Sequence, residues 1–446
     1  MILVRSAPLP HARPASADAD GEDLAVAPGA GGFDLRLAEP LAEWTRLPFT
    51  GGRSGATAAL QAWQRGQRPD TDIHRWPRFI INTWGDRNRD SRITADFIRR
   101  EIDAAARIGA DAVQIDDGWQ HGRSHNSATP AVGIAQDFRA TDPAFWSVDP
   151  ERFPQGLEPL VEHARRQGVE IALWFAPDRA DGHRHWRQDV DTLLALHRRY
   201  GIRLFKIDFV DTSSAAALAN FTRLAEAVRR GSVGAIALEI DCTAGRRPGY
   251  FGVPDAAPLF IENRYTDWSA YWPHQTLRNL WSLARWVDPL RVRMEFLNPR
   301  RNAERYGDDP LAPQRYTADA LLATVLAANP LGWFEASQLD EADVAVIAAL
   351  AQVWRQHRRK LAELFIEPVG RRPDGTGVSG FRWWHPERQH GYLLLLRGIG
   401  GAASFVLAGC ATVEHLAGAG SARIRSSNLQ VEGLPERGYL LLRWRV

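Results

Sequence analysis

The sequence predicts an α/β protein, a (β/α)8 TIM barrel followed by a small C-terminal antiparallel β-sandwich. Two observations carry the barrel. From Phe79 onward, short β-prone runs alternate with longer runs of helical period, the signal of βα units and a parallel sheet. Eight strand candidates of this kind fall within about 260 residues, the size of one closed barrel. A third observation separates the sandwich: beyond residue 364 helical runs give way to short β-prone runs punctuated by Gly and Pro.

The strand candidates are residues 79–84, 112–117, 170–175, 204–209, 235–240, 259–263, 291–296 and 332–335. Helical periodicity fills 94–108, 157–167, 189–200, 214–230, 275–287 and 318–328, and a last long helix covers 341–364. A doubly wound open sheet is the competing architecture, but it announces itself with a Gly-rich first turn. The turn after strand one here is Gly85-Asp86-Arg87-Asn88, which is no phosphate loop. Three regions follow: an N-terminal extension 1–75, the barrel 76–364 and the sandwich 365–446. Residues 1–40 are rich in Ala, Pro, Gly and Asp without periodicity, so the extension reads as partly disordered or as the remnant of a β-domain. An amphipathic piece lies around 57–63.

Across 446 residues the net charge is +2, with 45% hydrophobic and 24% charged residues. This balance fits a globular protein and argues against nucleic acid or a membrane as the main partner. The sequence contains no stretch of about eighteen apolar residues that would span a bilayer. Its start, MILVRSAPLPHARPAS, lacks a sustained apolar segment of the secretory type. Two cysteines, Cys242 and Cys410, give no disulfide framework and suit a reducing compartment, so a cytoplasmic location is expected. Association into a homo-oligomer stays open.

In a barrel of this kind the chemistry lies at the C-terminal strand ends. Strand one ends in Asn82-Thr83-Trp84, strand two in Asp116-Asp117-Gly118-Trp119, and strand four in Lys206-Ile207-Asp208. Asp241-Cys242-Thr243-Ala244-Gly245-Arg246-Arg247 follows strand five, and Glu262-Asn263-Arg264-Tyr265-Thr266-Asp267-Trp268 follows strand six. Carboxylates, guanidiniums and indoles thus converge on one rim from separate strands, the constellation of a catalytic site. Many of the seventeen tryptophans are core, but those at strand ends offer flat faces on which a sugar ring stacks.

These residues carry a resemblance. The segment from Phe79 to about Leu364 resembles the α-galactosidases of glycoside hydrolase family 36, with relatives in family 27 and the raffinose synthases. Asn82-Thr83-Trp84 resembles the first-strand NTW, Asp116-Asp117-Gly118-Trp119 the DDGW element, and Lys206-Ile207-Asp208 the K-x-D strand. The run from Asp149 to Leu157 is similar to D-P-x-x-F-P-x-G-L, and Arg264-Tyr265-Thr266-Asp267 to R-x-S-D. The resemblance implies a retaining α-glycoside hydrolase without cofactor or metal, acting on a small α-galactoside or related oligosaccharide. It implies Asp208 as nucleophile and Asp267 as acid/base, with Glu262 the alternative donor on the same strand end. Asp116, Asp117 and Lys206 would meet sugar hydroxyls, Trp84, Trp119 and Trp174 the pyranose face, and Cys242 and Arg264 the region of the 2-hydroxyl.

The residues make physical sense of this. A retaining glycosidase needs two carboxyl groups roughly 5–5.5 Å apart, one to attack and one to protonate the leaving oxygen. Lys206, two residues before Asp208, favours an ionised nucleophile, and Trp268 beside Asp267 favours a protonated acid. The plainer alternatives are a helix N-cap for Asp208, an ion pair with Arg264 or Arg247 for Glu262, a turn-stabilising pair for Asp116 and Asp117, and a small core residue for Cys242. Departures from the family include Ala176-Pro177-Asp178 in place of Glu-Pro-Glu, a reduced Gly-rich run after Cys242, and only about 75 residues before the barrel. Gln120 points toward the raffinose synthases, so transglycosylation is a competing reaction. A carbohydrate-binding pseudo-enzyme is a third reading. A metal-dependent hydrolase has His121, His125, His183 and His185 in its favour, but no H-x-H ends the first strand, no H-E-x-x-H occurs, and His183-x-His185 reads as a solvated loop pair. The long segment 120–153, with Phe138, Phe145 and Trp146, is expected to close over the site as a lid.

Overall fold

The computed structural model describes residues 1–5, 24–29, 32–37, 44–71, 76–86, 88–124, 126–129, 142–242, 248–252, 258–260 and 271–446. Near the N-terminus, β1 (Ile2–Arg5) pairs antiparallel with β4 (Trp44–Leu47), and β2 (Leu24–Gly29) with β3 (Gly32–Leu37). Order therefore reaches into the stretch that composition alone reads as irregular. A helix, α1 (Gly52–Gly66), then leads to the barrel.

Eight parallel strands close on themselves in chain order: β5 (Ile80–Asn82), β6 (Ala112–Ile115), β7 (Glu170–Phe175), β8 (Leu204–Ile207), β9 (Ala237–Asp241), β10 (Leu259–Phe260), β11 (Val292–Phe296) and β12 (Asn329–Gly332). The (β/α)8 barrel expected from the sequence is the fold. One strand is displaced from its expected place: β12 lies three residues earlier than 332–335. Its sequence, Asn-Pro-Leu-Gly, has two residues that weaken strands by propensity. Pairing with β11 and β5 on its two flanks overrides that: Met294 stands opposite Pro330, and Leu331 opposite Ile80.

Side chains alternate across the barrel wall. Ile80, Ala112, Ala172, Leu204, Ala237 and Leu331 form an interior apolar cluster. Their neighbours Ile81, Val113, Leu173, Phe205 and Leu238 face the helices as part of the main core. The helix α2 (Ala95–Arg107) starts on Thr94, whose hydroxyl accepts the Phe97 N–H. Next come α3 (Glu158–Arg166), α4 (Trp186–Tyr200) and α5 (Ala215–Gly231). Ser214 caps α5 by accepting the Ala217 N–H, so capping is not the work of Asp208. The helices α6 (Pro273–Leu283), α7 (Ala318–Ala323) and α8 (Glu341–Ala362) complete the layer. Among the described residues, no helix is long and apolar enough to cross a membrane.

The C-terminal region is a five-stranded antiparallel sheet against a three-stranded one. The first is built from β13 (Phe365–Gly370), β14 (Val378–Trp384), β15 (His390–Arg397), β20 (Tyr439–Arg445) and β17 (Thr412–Gly418). The second holds β16 (Phe405–Ala408), β19 (Asn428–Glu432) and β18 (Ser421–Arg425). Alternation along β15 divides its side chains between two cores. Leu393 and Leu395 pack with Leu407, Leu429 and Val431 of the smaller sheet. Tyr392, Leu394 and Leu396 join the barrel core instead.

The helix α1 fastens this arrangement with polar side chains that mimic backbone. Gln61 gives and takes a hydrogen bond with the Ile366 peptide, and Gln64 does the same across Trp286 and Asp288. Arg65 and Arg68 reach Asp288 at 2.8 and 3.3 Å. Asp288 is fully buried. Burial works against its charge, yet the two guanidiniums hold its carboxyl below the ordinary value.

The turn after β6 requires glycine. Gly118 has φ +122, and a Cβ there would stand 2.5 Å from both Asp90 Cβ and Arg152 Nη1. Arg152 donates to the Gly118 carbonyl at 2.6 Å and to Asp90 at 3.0 Å, which pins the turn from below.

Two stability predictions follow from these contacts. Asp288→Ala leaves two arginines without their buried partner, which costs about 3 kcal/mol or more, read as a drop in the urea midpoint at pH 7. Because the folded carboxyl titrates below its unfolded value of about 3.9, its contribution is complete above that pH and lost below it. The gap between wild type and variant should therefore narrow on further acidification. Gly118→Ala should cost about 3 kcal/mol through forbidden backbone and overlap. Gly168→Ala, at φ +72 with nothing within 4 Å, should cost about 1 kcal/mol. Equal melting temperatures for the two glycine variants would contradict this account.

Candidate active site

At the C-terminal end of β6, Asp116 is buried and hydrogen-bonded through both carboxylate oxygens. Its Oδ2 accepts from Lys206 Nζ at 2.8 Å and from Asn82 Nδ2 at 2.6 Å, while Oδ1 accepts the Asp117 N–H at 2.9 Å. Lys206, 4% exposed, comes from β8. Its ammonium lies 4.6 Å from the ring centre of Phe260 and 5.0 Å from that of Trp333. Two aromatic faces and one carboxylate thus replace much of the hydration of a buried cation. Sequence spacing suggests that Lys206 serves Asp208; the structure adds a salt bridge from Lys206 to Asp116.

Asp208 sits half-buried just past the end of β8. Its Oδ2 accepts the Trp174 indole N–H at 3.3 Å and its Oδ1 accepts the Phe209 amide at 2.7 Å. Phe209 has φ +54, a conformation costly for a bulky side chain. That turn lets the peptide after Asp208 fold back and donate to its carboxylate. Trp174 is itself held from behind, because the Trp119 indole donates to its carbonyl at 2.8 Å. Both indoles are buried. Trp119 stacks on Trp146 at 5.9 Å, and Trp146 on Phe175 at 4.2 Å. Phe145 and Trp146, expected on a lid, are therefore packed into the barrel's aromatic layer; Phe138 lies outside the described residues.

Asp117 turns away from Asp116 into the following loop. Gln120 donates to it at 2.7 Å and the Ser124 hydroxyl also donates to it. Burial pushes its carboxyl up to about 7, against the pull of these hydrogen bonds and with added repulsion from Asp116. Trp84 is half-buried and packs beside the interior cluster that includes Phe260 and Trp333. Cys242 is buried in the main core, where burial pushes its thiol up to about 12. Glu262, Arg264, Asp267 and Trp268 lie outside the described residues, as does His125. His183 engages the carbonyls of Asp178 and Asp211 at 3.0 and 2.8 Å, and His185 accepts from Arg184. No group of three metal-ligating side chains occurs among the described residues.

Below the rim lies a polar chain that sequence reasoning did not single out. Arg293 of β11 pairs with Glu239 of β9, and Gln114 of β6 donates to Glu239 at 2.9 Å. Asn82 of β5 donates to Gln114 at 2.7 Å as well as to Asp116. All four side chains are buried. The available signal was a polar residue at an inward position of an otherwise apolar strand, as in Ala-Val-Gln-Ile, Ala-Leu-Glu-Ile and Val-Arg-Met-Glu-Phe.

Comparison with known proteins places this geometry in a context. A family model described as glycoside hydrolase 97 matches residues 75–233. The α-galactosidase of Escherichia coli is 31% identical over 83 residues, which is 19% of this chain and 10% of that protein. Alpha-galactosidase 2 of Pediococcus pentosaceus is 27% identical over 99 residues, 22% of this chain and 12% of that protein. Sequence similarity to the curated relatives thus spans about a tenth of their length. Likeness of fold extends much further. The galactosidase domain of the alpha-galactosidase-sucrose kinase AgaSK superposes with a TM-score of 0.66 at 13% identity, covering 95% of this chain and 64% of that one. GH36 alpha-galactosidase AgaA from Geobacillus stearothermophilus gives 0.62 at 12% identity, with 91% and 60% covered. In its matched segments and in its fold, the chain is similar to glycoside hydrolases, and among them to α-galactosidases of the family 36 kind that its strand-end motifs resemble.

Proposed function

We propose that this chain is a retaining α-glycoside hydrolase that removes terminal α-linked galactose, with Asp208 as nucleophile. The observation that carries the reading is the Asp208 carboxylate itself. It stands at the C-terminal end of β8, oriented by the Trp174 indole and the Phe209 amide. Support comes from the relatives named as α-galactosidases. It also comes from AgaA variants of similar fold, solved with 1-deoxygalactonojirimycin, raffinose and stachyose.

In this reaction an Asp208 oxygen attacks the anomeric carbon as the bond to the leaving oxygen breaks. Asp267 gives its proton to that oxygen. A water then attacks the glycosyl–Asp208 ester, Asp267 recovers a proton from it, and the free carboxylate returns with net retention. Asp116 and Lys206 would bind sugar hydroxyls at the strand ends, and the partly open face of Trp84 would carry the ring. Arg264 is assigned to the 2-hydroxyl or to orienting Asp267, and Glu262 is the alternative proton donor.

Release of nitrophenol from a panel of α-linked nitrophenyl sugars tests the activity, with the galactoside expected to be the best. Asp208→Asn and Asp208→Ala should each lower kcat by at least about a thousandfold. Azide should rescue the alanine variant on an activated fluoride donor and yield a β-glycosyl azide. Wild-type turnover in the asparagine variant would refute the assignment. Leaving-group dependence separates the two candidate acids, since good leaving groups depart without protonation. Asp267→Ala should damage natural α-galactosides severely and activated aryl galactosides little. That signature in Glu262→Gln instead would reverse the roles.

A further inference from the structure

We infer that Glu239, buried inside the barrel, is a positioning residue for Asp116, acting through the side-chain amides of Gln114 and Asn82. The inference rests on the reading that Asp116 meets the sugar. Glu239 lies on β9, and its carboxylate receives Arg293 on Oε1 and the Gln114 amide at 2.9 Å on Oε2. A carboxylate of this kind only accepts hydrogen bonds, so the NH2 of Gln114 must face it. That leaves Gln114 Oε1 turned toward Asn82, which must answer with its own NH2 at 2.7 Å. The second N–H of the same NH2 goes to Asp116 Oδ2 at 2.6 Å, and Asn82 Oδ1 accepts the Trp84 N–H at 2.8 Å.

Each amide could in principle rotate by half a turn and exchange its donor for its acceptor. Here the anion at the lower end removes that freedom twice over. If Gln114 flipped, it would present N–H groups to Asn82, and Asn82 would flip in turn. Asp116 would then face a carbonyl oxygen instead of a donor, and the Trp84 N–H would lose its acceptor. The sign of charge at Glu239 is thus transmitted to the hydrogen-bond polarity at Asp116 without either carboxylate touching the other.

Among the described residues, charges face this chain from both ends, and Lys206 stands beside Glu239 in the strand ladder. At the lower end are Arg293, Arg78 and Asp111. At the upper end is Lys206, paired with Asp116. Arg293 is anchored by donating to the carbonyls of Arg78 and Pro330, so Glu239 is fixed by groups remote from the rim.

Glu239 itself is a poor first target, because its removal leaves Arg293 buried and unpaired. Gln114→Glu keeps the shape and makes polarity depend on pH. While one proton is shared with Glu239, the introduced carboxyl donates downward and accepts from Asn82, as the amide does. When that proton leaves, the two carboxylates repel and the chain loses its polarity. The variant should match wild-type kcat/KM on nitrophenyl α-galactoside within about threefold at pH 5. It should fall about tenfold relative to wild type by pH 8. Over the same interval hydrogen exchange at the Trp84 amide should quicken in the variant relative to wild type.

Gln114→Leu is uncharged and close in volume, and it keeps the test decisive should the carboxyl variant fail to fold. It should raise KM about tenfold at every pH with far smaller change in kcat, and speed Trp84 exchange. Parallel pH profiles for Gln114→Glu and wild type, or unchanged Trp84 exchange in both variants, would overturn the inference. A wild type inactive on the whole sugar panel would instead overturn the proposed function, while Trp84 exchange, which needs no substrate, still judges the relay.

Discussion

A lysine ammonium cannot leave water without replacements for its hydration shell, and the upper interior of this barrel is organised around supplying them to Lys206. One replacement is Asp116 at 2.8 Å. Further replacements are the rings of Phe260 on β10 and of Trp333 just past β12. Asp116 in turn cannot be buried on one ion pair alone, so it recruits Asn82 and the Asp117 peptide. From that single pair the identities of residues on five strands become dependent on one another. It explains why a barrel whose lower interior is plain aliphatic carries such polar side chains halfway up.

Asp208 is held by a different logic. Its support is aromatic and reaches through the wall: Trp146 on Phe175, Trp119 on Trp146, the Trp119 indole on the Trp174 backbone, and the Trp174 indole on the carboxylate. Large rings lose little side-chain entropy on fixing, so such a column is stiff at low cost. The strained Phe209 adds a backbone N–H from the other side. Two carboxylates on strand ends separated by β7 are thus fixed by independent means, one by charge and one by packing.

Much of this was legible in the sequence. Alternation between β-prone and helical runs marks the barrel because a parallel strand buried on both faces is short and apolar, while its helix shows one apolar stripe. The strand-end acids were readable for the same reason: charged residues stand out at the end of an apolar run. The eighth strand slipped because Asn329 and Pro330 look like a turn, and only pairing with β11 makes them a strand. The polar chain from Arg293 to Asn82 was illegible for a subtler reason. A charge within a strand reveals its face only once register is known, and register is a property of the closed barrel. Lys206 shows the same limit: its partner Asp116 stands 90 residues earlier in the chain, so proximity in sequence gives no hint of the pair.

In the five-stranded sheet, β15 is buried on both faces. Tyr392, Leu394 and Leu396 belong to the barrel core, and Leu393 and Leu395 to the sandwich core, one residue apart along a single strand. The covalent domain border near Leu364 is therefore not a border in the packing. A hydrophobic layer shared in this way couples the two halves mechanically: a shift of the sheet moves the floor on which α8 rests. The sandwich behaves as the eighth helix's outer wall, and a module exchanged for it in a hybrid protein would have to match the barrel's surface relief side chain by side chain, not merely cap an end.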